Sequence, residues 1–131
     1  MKIAVDTNVL VRAAVRDDPE QTDAATRLMG RAKMVAIALP SLCEFAWVLR
    51  KVYDFRPSDI GKAIRTLLAA GNVETNRPAV EAGLAMLDAG GDFADGAIAY
   101  EGRWLGAETF VSFDAKAVEL LKKQGEQARL L

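Results

Sequence analysis

The run MKIAVDTNVLV, residues 1–11, changes character at Asp6. The apolar residues before it read as a buried strand, because a short continuous apolar run suits a parallel sheet covered on both faces. TNVLVRAAV after it reads as a helix, with Thr7 or Asn8 near the cap. The pattern recurs near the other end, where ETFVSF is an apolar run stopping at Asp114 and AKAVELLKKQ follows as a helix. Two strand–acid–helix junctions place carboxylates at the carboxyl ends of strands, where ligands collect in α/β sheets.

The chain between these junctions alternates in the same way. DPEQTDAATRLMGRA opens with Asp18 as N-cap and Pro19 at the first helical position. MVAIAL is a second strand, and SLCEFAWVLRKVY a helix opened by Ser41. PSDIGKAIRTLLAAG is a helix from Pro57–Ser58, closed by Gly71 as a C′ residue. VET is a brief third strand, RPAVEAGLAMLDAG and DFADGAIAYEGRWLG are further helices, and ARLL is an edge strand. Alternating strands and helices predict an α/β fold with a mainly parallel central sheet of four to five strands between helical layers. No linker, repeat or low-complexity tract interrupts it, so residues 1–131 are expected to form a single domain.

Half of the residues are hydrophobic and about a quarter are charged, as in ordinary globular proteins. The opening MKIAV is too short for a signal-peptide core, and no apolar run approaches membrane length. With one cysteine, Cys43, no internal disulfide is available, which fits a reducing cytoplasm. Cys43 is expected to be a small buried hydrophobe, since the chain has no histidine to activate it. The lack of histidine also removes Ser-His-Asp and Cys-His catalysis, two-imidazole RNA cleavage and nearly every zinc site. Hydrolytic chemistry here would run on carboxylates with a hard, oxygen-preferring cation. A net charge of −1 gives no overall steering toward nucleic acid. Locally, RKVYDFR and KAIR are basic, reading equally as a solvated face or a phosphate-contacting one.

Each prominent acid has a bland role available. Asp6 and Asp114 suit the caps of the helices that follow them, and Ser41-x-x-Glu44 matches a capping box. In GGDFADGA (90–97), Asp92 is placed as an N-cap and Asp95 at the third helical position, where negative charge suits the helix dipole. Yet Glu44, with Trp47 and Val48 as helical neighbours, is expected near the core-facing side, and Asp95 has Ile98, Ala99 and Gly102 beside it. Several carboxylates in apolar surroundings are costly to desolvate without partners, and a divalent cation would keep them ionised together. Asp6, Glu44, Asp95 and Asp114 therefore group as one expected acidic pocket.

These residues carry a resemblance to the PIN-domain ribonucleases, running nearly end to end. VDTNVLV (5–11) is similar to the family's opening motif, PSLCEFAWVL to its glutamate-bearing helix, DFADGAIA to its D-F-A-D segment, and TFVSFD to its closing strand. The short, single-domain form most resembles the VapC toxins of toxin–antitoxin pairs. The resemblance implies a PIN-like three-layer α/β/α sandwich, metal-binding roles for Asp6, Glu44, Asp95 and Asp114, and supporting or water-positioning roles for Thr7, Asn8, Ser112 and Asp92. It implies Mg2+ (or Mn2+) as cofactor and cleavage of tRNA or rRNA by metal-activated water to 5′-phosphate and 3′-hydroxyl ends. It also implies a small antitoxin partner and a homodimer. Gly96 stands where the family usually has alanine, which is expected to weaken the helix by about 1 kcal/mol.

Two other classes are consistent with aspartates at strand ends. A receiver-like or phosphatase-like domain also binds Mg2+ there. Against the phosphatase, Asn8 stands where a second acid is needed; against the receiver, Lys116 lies in a helix rather than at a strand end. A non-catalytic PIN-like binding module would be expected to have lost acids that this chain keeps. Trp47, Tyr53 and Phe55 serve equally as core or as partner surface, and Trp104 is expected in the core.

Overall fold

Val35 is completely buried in the middle strand of a three-stranded parallel sheet. The sheet comprises β1 (Lys2–Ala4), β2 (Met34–Ala36) and β3 (Val73–Glu74), with Ile3 opposite Val35 and Val35 opposite Val73. The computed structural model describes residues 1–131, which divide into two compact units, Met1–Asn76 and Arg77–Leu131.

In the first unit, helices α1 (Thr7–Ala14), α2 (Pro19–Arg31), α3 (Leu39–Lys51) and α4 (Pro57–Ala69) accompany this sheet. Leu10, Leu42, Phe45, Leu49, Ile60 and Ile64 are almost wholly buried. Asp18 caps α2 by accepting the Gln21 N–H at 3.2 Å, with Pro19 beginning the helix. The α3 start differs from expectation. It begins at Leu39 after an extended Ala38, with no side-chain cap, so Ser41 lies inside the helix and is not its opener. Pro40 in the first turn explains this, since proline is preset for helical φ and its missing N–H costs nothing there. Gly71 follows α4, but the exit is made by an extended Ala70 and Gly71 stays out of the left-handed region.

In the second unit, α5 (Arg77–Asp88) and α6 (Phe93–Trp104) pack together, followed by β4 (Phe110–Ser112), α7 (Ala115–Lys123) and β5 (Ala128–Leu130). β4 and β5 form a parallel pair, with Val111 opposite Arg129 and Ser112 opposite Leu130. Every strand pairing is parallel, as an α/β chain with helical crossovers requires. The five strands divide as three and two between the units.

Gly96 has a packing role besides the helix-weakening effect expected of it. It is buried, and a Cβ built on it would stand 2.3 Å from the Ala82 carbonyl oxygen and 2.8 Å from Met86 Cβ. Its missing side chain lets α6 lie against α5. Trp104 is 79% exposed rather than in the core, at the last residue of α6. Cys43 is half-buried. Trp47 is exposed, whereas Tyr53 and Phe55 are half-buried. Tyr53 receives a short hydrogen bond from the Arg12 guanidinium.

Candidate functional site

Helix α5 ends in a left-handed Gly90, after which the Gly91 N–H reaches back to the Met86 carbonyl at 2.9 Å. This closed helix end delivers the chain to Asp92 in extended conformation, directly before α6. Asp92 occupies the N-cap position, but its side chain makes no capping hydrogen bond, contrary to the sequence expectation. Asp95 lies in the first turn of α6, three residues on.

The third acid arrives from the end of β4. Asp114 caps α7, accepting the backbone N–H groups of Lys116 at 3.0 Å and Ala117 at 3.2 Å through Oδ1. Its own N–H donates to Ser112 Oγ at 2.9 Å. The serine thus holds the bend that turns the acid.

Carboxylate oxygens of Asp92, Asp95 and Asp114 lie within 4.8 Å of one another. Asp92 and Asp114 are exposed and Asp95 is half-buried. Burial, then the negative charges of Asp92 and Asp114, push the Asp95 carboxyl above its ordinary value. All three influences disfavour the ionised form of Asp95. The N-terminal ends of α6 and α7 favour negative charge there. A divalent cation would favour it further, and three hard carboxylate oxygens are the donor set that Mg2+ or Mn2+ prefers over thiol- or imidazole-binding metals. The residues present therefore fit such an ion.

Of the expected site residues, the structure brings Asp95 and Asp114 together and adds Asp92 as a full member of the cluster. The signal for Asp92 was its spacing of three from Asp95, which places two acids at one helix start. Asp6 and Glu44 belong to the first unit. Asp6 caps α1, accepting the Thr7 N–H at 2.7 Å, while Thr7 is buried and Asn8 exposed. Glu44 is exposed, not core-facing: Leu42, Phe45, Ala46 and Leu49 form the buried stripe of α3, and Glu44 falls on the other side with Trp47.

A family model described as the PIN domain matches residues 3–123. No curated protein matches the chain. No helix is long and apolar enough to cross a membrane.

Proposed function

The chain belongs to the PIN domain family, and on that premise we propose that it is a divalent-metal-dependent endoribonuclease, hydrolysing RNA phosphodiesters to 5′-phosphate and 3′-hydroxyl ends. PIN domains as a class are nucleases. The observation that carries the proposal is the convergence of Asp92, Asp95 and Asp114 oxygens within 4.8 Å of one another.

Mg2+ or Mn2+ held by these acids would offset charge on the phosphoryl oxygens and acidify water for attack. Asp95 is the least exposed of the three and takes the innermost role. Asp114 is fixed by its two backbone donors and by Ser112, so it presents its second oxygen in a constant direction. Asp92, extended at the edge, completes the set. The motifs VDTN and SLCEF extend the proposal to Asp6 and Glu44 as further acidic residues of the activity, with Thr7 and Asn8 in support. Residues 1–131 would act as a single nuclease domain.

The motif order further supports a VapC-like toxin acting on tRNA or rRNA in the cytoplasm, as a homodimer restrained by a small antitoxin. The exposed Trp47 and Val52 are in keeping with a protein-contacting surface. Co-expression with the product of any small adjacent reading frame tests that part: growth arrest relieved by the neighbour supports it.

The activity itself is tested by incubating purified protein with RNA and Mg2+ or Mn2+, with and without chelator, beside Asp95→Asn and Asp6→Asn. Chelator-sensitive cleavage lost in both variants is expected. Cleavage that survives both chelator and Asp95→Asn would overturn the proposal.

A further inference from the structure

Phe93 lies between the two acids at the start of α6, one residue after Asp92 and two before Asp95, and its ring is 1% exposed. The ring is seated on bare backbone. A Cβ built on Gly83 of α5 would stand 2.5 to 2.8 Å from three of its carbons, Cε2, Cδ2 and Cζ. Close packing forbids such an approach, so the ring fills the space that any other residue at 83 would need.

This seat fixes how α6 lies on α5. Gly96 follows Phe93 by three residues and shares its side of the helix, where a Cβ would meet the Ala82 carbonyl oxygen and Met86 Cβ. Met86 also stands against Gly91, just before Asp92, where a Cβ would come within 2.6 Å of its Sδ. Such contacts leave α6 no slack to slide or roll along α5. Asp95 is two residues from Phe93, about 200° round the helix, so it points away from the seat. A roll of α6 by about 20° would carry a group about 5 Å from the helix axis through about 2 Å. Asp114 is set on α7 by its own backbone donors, so a roll of α6 changes its distance from Asp95.

We propose that Phe93 is the positioning residue of the acidic cluster: keyed onto Gly83, it sets the roll of α6 and hence the spacing of Asp95 from Asp114. This rests on the divalent-metal reading of the cluster and specifies what selects the ion. Mg2+ needs near-ideal octahedral oxygens at about 2.0–2.1 Å, whereas Ca2+ accepts about six to eight oxygens at about 2.3–2.6 Å in flexible geometry. A fixed spacing therefore favours Mg2+, and a loosened one shifts preference toward Ca2+. Phe93 touches neither ion nor RNA; it acts through Asp95.

The test measures Mg2+ and Ca2+ affinities of the full chain by titration calorimetry, for wild type, Phe93→Leu, Gly83→Ala and the double variant. Each single variant is expected to weaken Mg2+ binding about 10-fold or more, as changes behind the ligands do, with Ca2+ binding reduced less. In the double variant the shorter leucine leaves room for the alanine methyl, so the ratio of Mg2+ to Ca2+ affinity should recover toward wild type. A merely structural role gives a different result, because a smaller folded fraction weakens both ions by the same factor and leaves the ratio unchanged. An unchanged ratio in Phe93→Leu overturns the proposal, and that variant remains decisive should Gly83→Ala fail to fold. A double variant no better than Gly83→Ala also overturns it. Wild-type protein that binds neither ion removes the metal site and the proposal with it. The expected ratio shifts in a protein that cleaves no RNA would uphold the positioning role while removing the nuclease reading.

Discussion

Gly96 and Ala82 touch so closely that a Cβ at 96 would lie 2.3 Å from the Ala82 carbonyl oxygen. The obstacle is backbone rather than the end of a flexible side chain, so it cannot swing aside. Alanine at this position gains about 1 kcal/mol of helix propensity but must force α5 and α6 apart. Gly96→Ala is expected to lose stability overall, by about 1–3 kcal/mol as for other overpacked sites, read as a lower midpoint in urea unfolding. Because Asp95 is its chain neighbour, cleavage should fall further than stability does. An unchanged midpoint would show that the helices can separate freely.

Asp95→Asn separates stability from activity. Burial and two like charges hold the Asp95 carboxyl above its ordinary value, so its ionised form opposes folding in the metal-free protein. The asparagine variant is expected to melt at higher temperature than wild type in chelator at neutral pH, with cleavage abolished. A lower melting temperature in chelator would contradict the assigned electrostatics.

The same shift sets a pH dependence. The folded pKa of Asp95 lies above its ordinary 3.8, so between those values the folded state binds more protons than the unfolded chain. Stability from this group therefore falls as pH rises through that window and levels off above the folded pKa. Asp59, held low by its hydrogen bonds with Arg56, acts with the opposite sign and only below 3.8. The difference in unfolding free energy between wild type and Asp95→Asn, followed from about pH 4 to pH 7, isolates the Asp95 contribution. A difference independent of pH would refute it.

Divalent cation should remove that penalty. Mg2+ or Mn2+ is expected to raise the wild-type melting temperature in a concentration-dependent way, as for any ligand bound only by the folded state. Asp92→Asn, Asp95→Asn and Asp114→Asn should each weaken the response. Thermal melts across a metal titration decide the matter, and an undiminished response in all three variants would place the ion elsewhere.

Asp114 has two roles that chemistry can divide. Asp114→Asn keeps an oxygen for the Lys116 and Ala117 N–H groups but loses the charge, so stability should hold while metal binding fails. Asp114→Ala loses both, at a further cost of about 1 kcal/mol for the missing cap. Equal unfolding midpoints for the two variants would show that the cap contributes nothing.

The strand–acid–helix rhythm was legible along the chain because it is made by neighbouring residues. Apolar runs end at Asp6 and near Asp114, Asp18-Pro19 starts a helix, and Asp92 and Asp95 are three apart before one. Membership of the acidic cluster was less legible, since it depends on contacts between residues far apart in sequence. Asp114 meets Asp92 and Asp95 because β4 and α7 bring it there, and Ser112 turns it at the strand end. Asp92 looked like a cap until its side chain proved to make no capping bond. Glu44 looked core-facing because its helical neighbours are apolar, but the buried stripe of α3 falls on the other side. Gly96 looked like a local weakness until Ala82 was found against it. Local pattern specifies which elements form; packing between elements specifies which side chains share a site, because only packing sets distances across the fold.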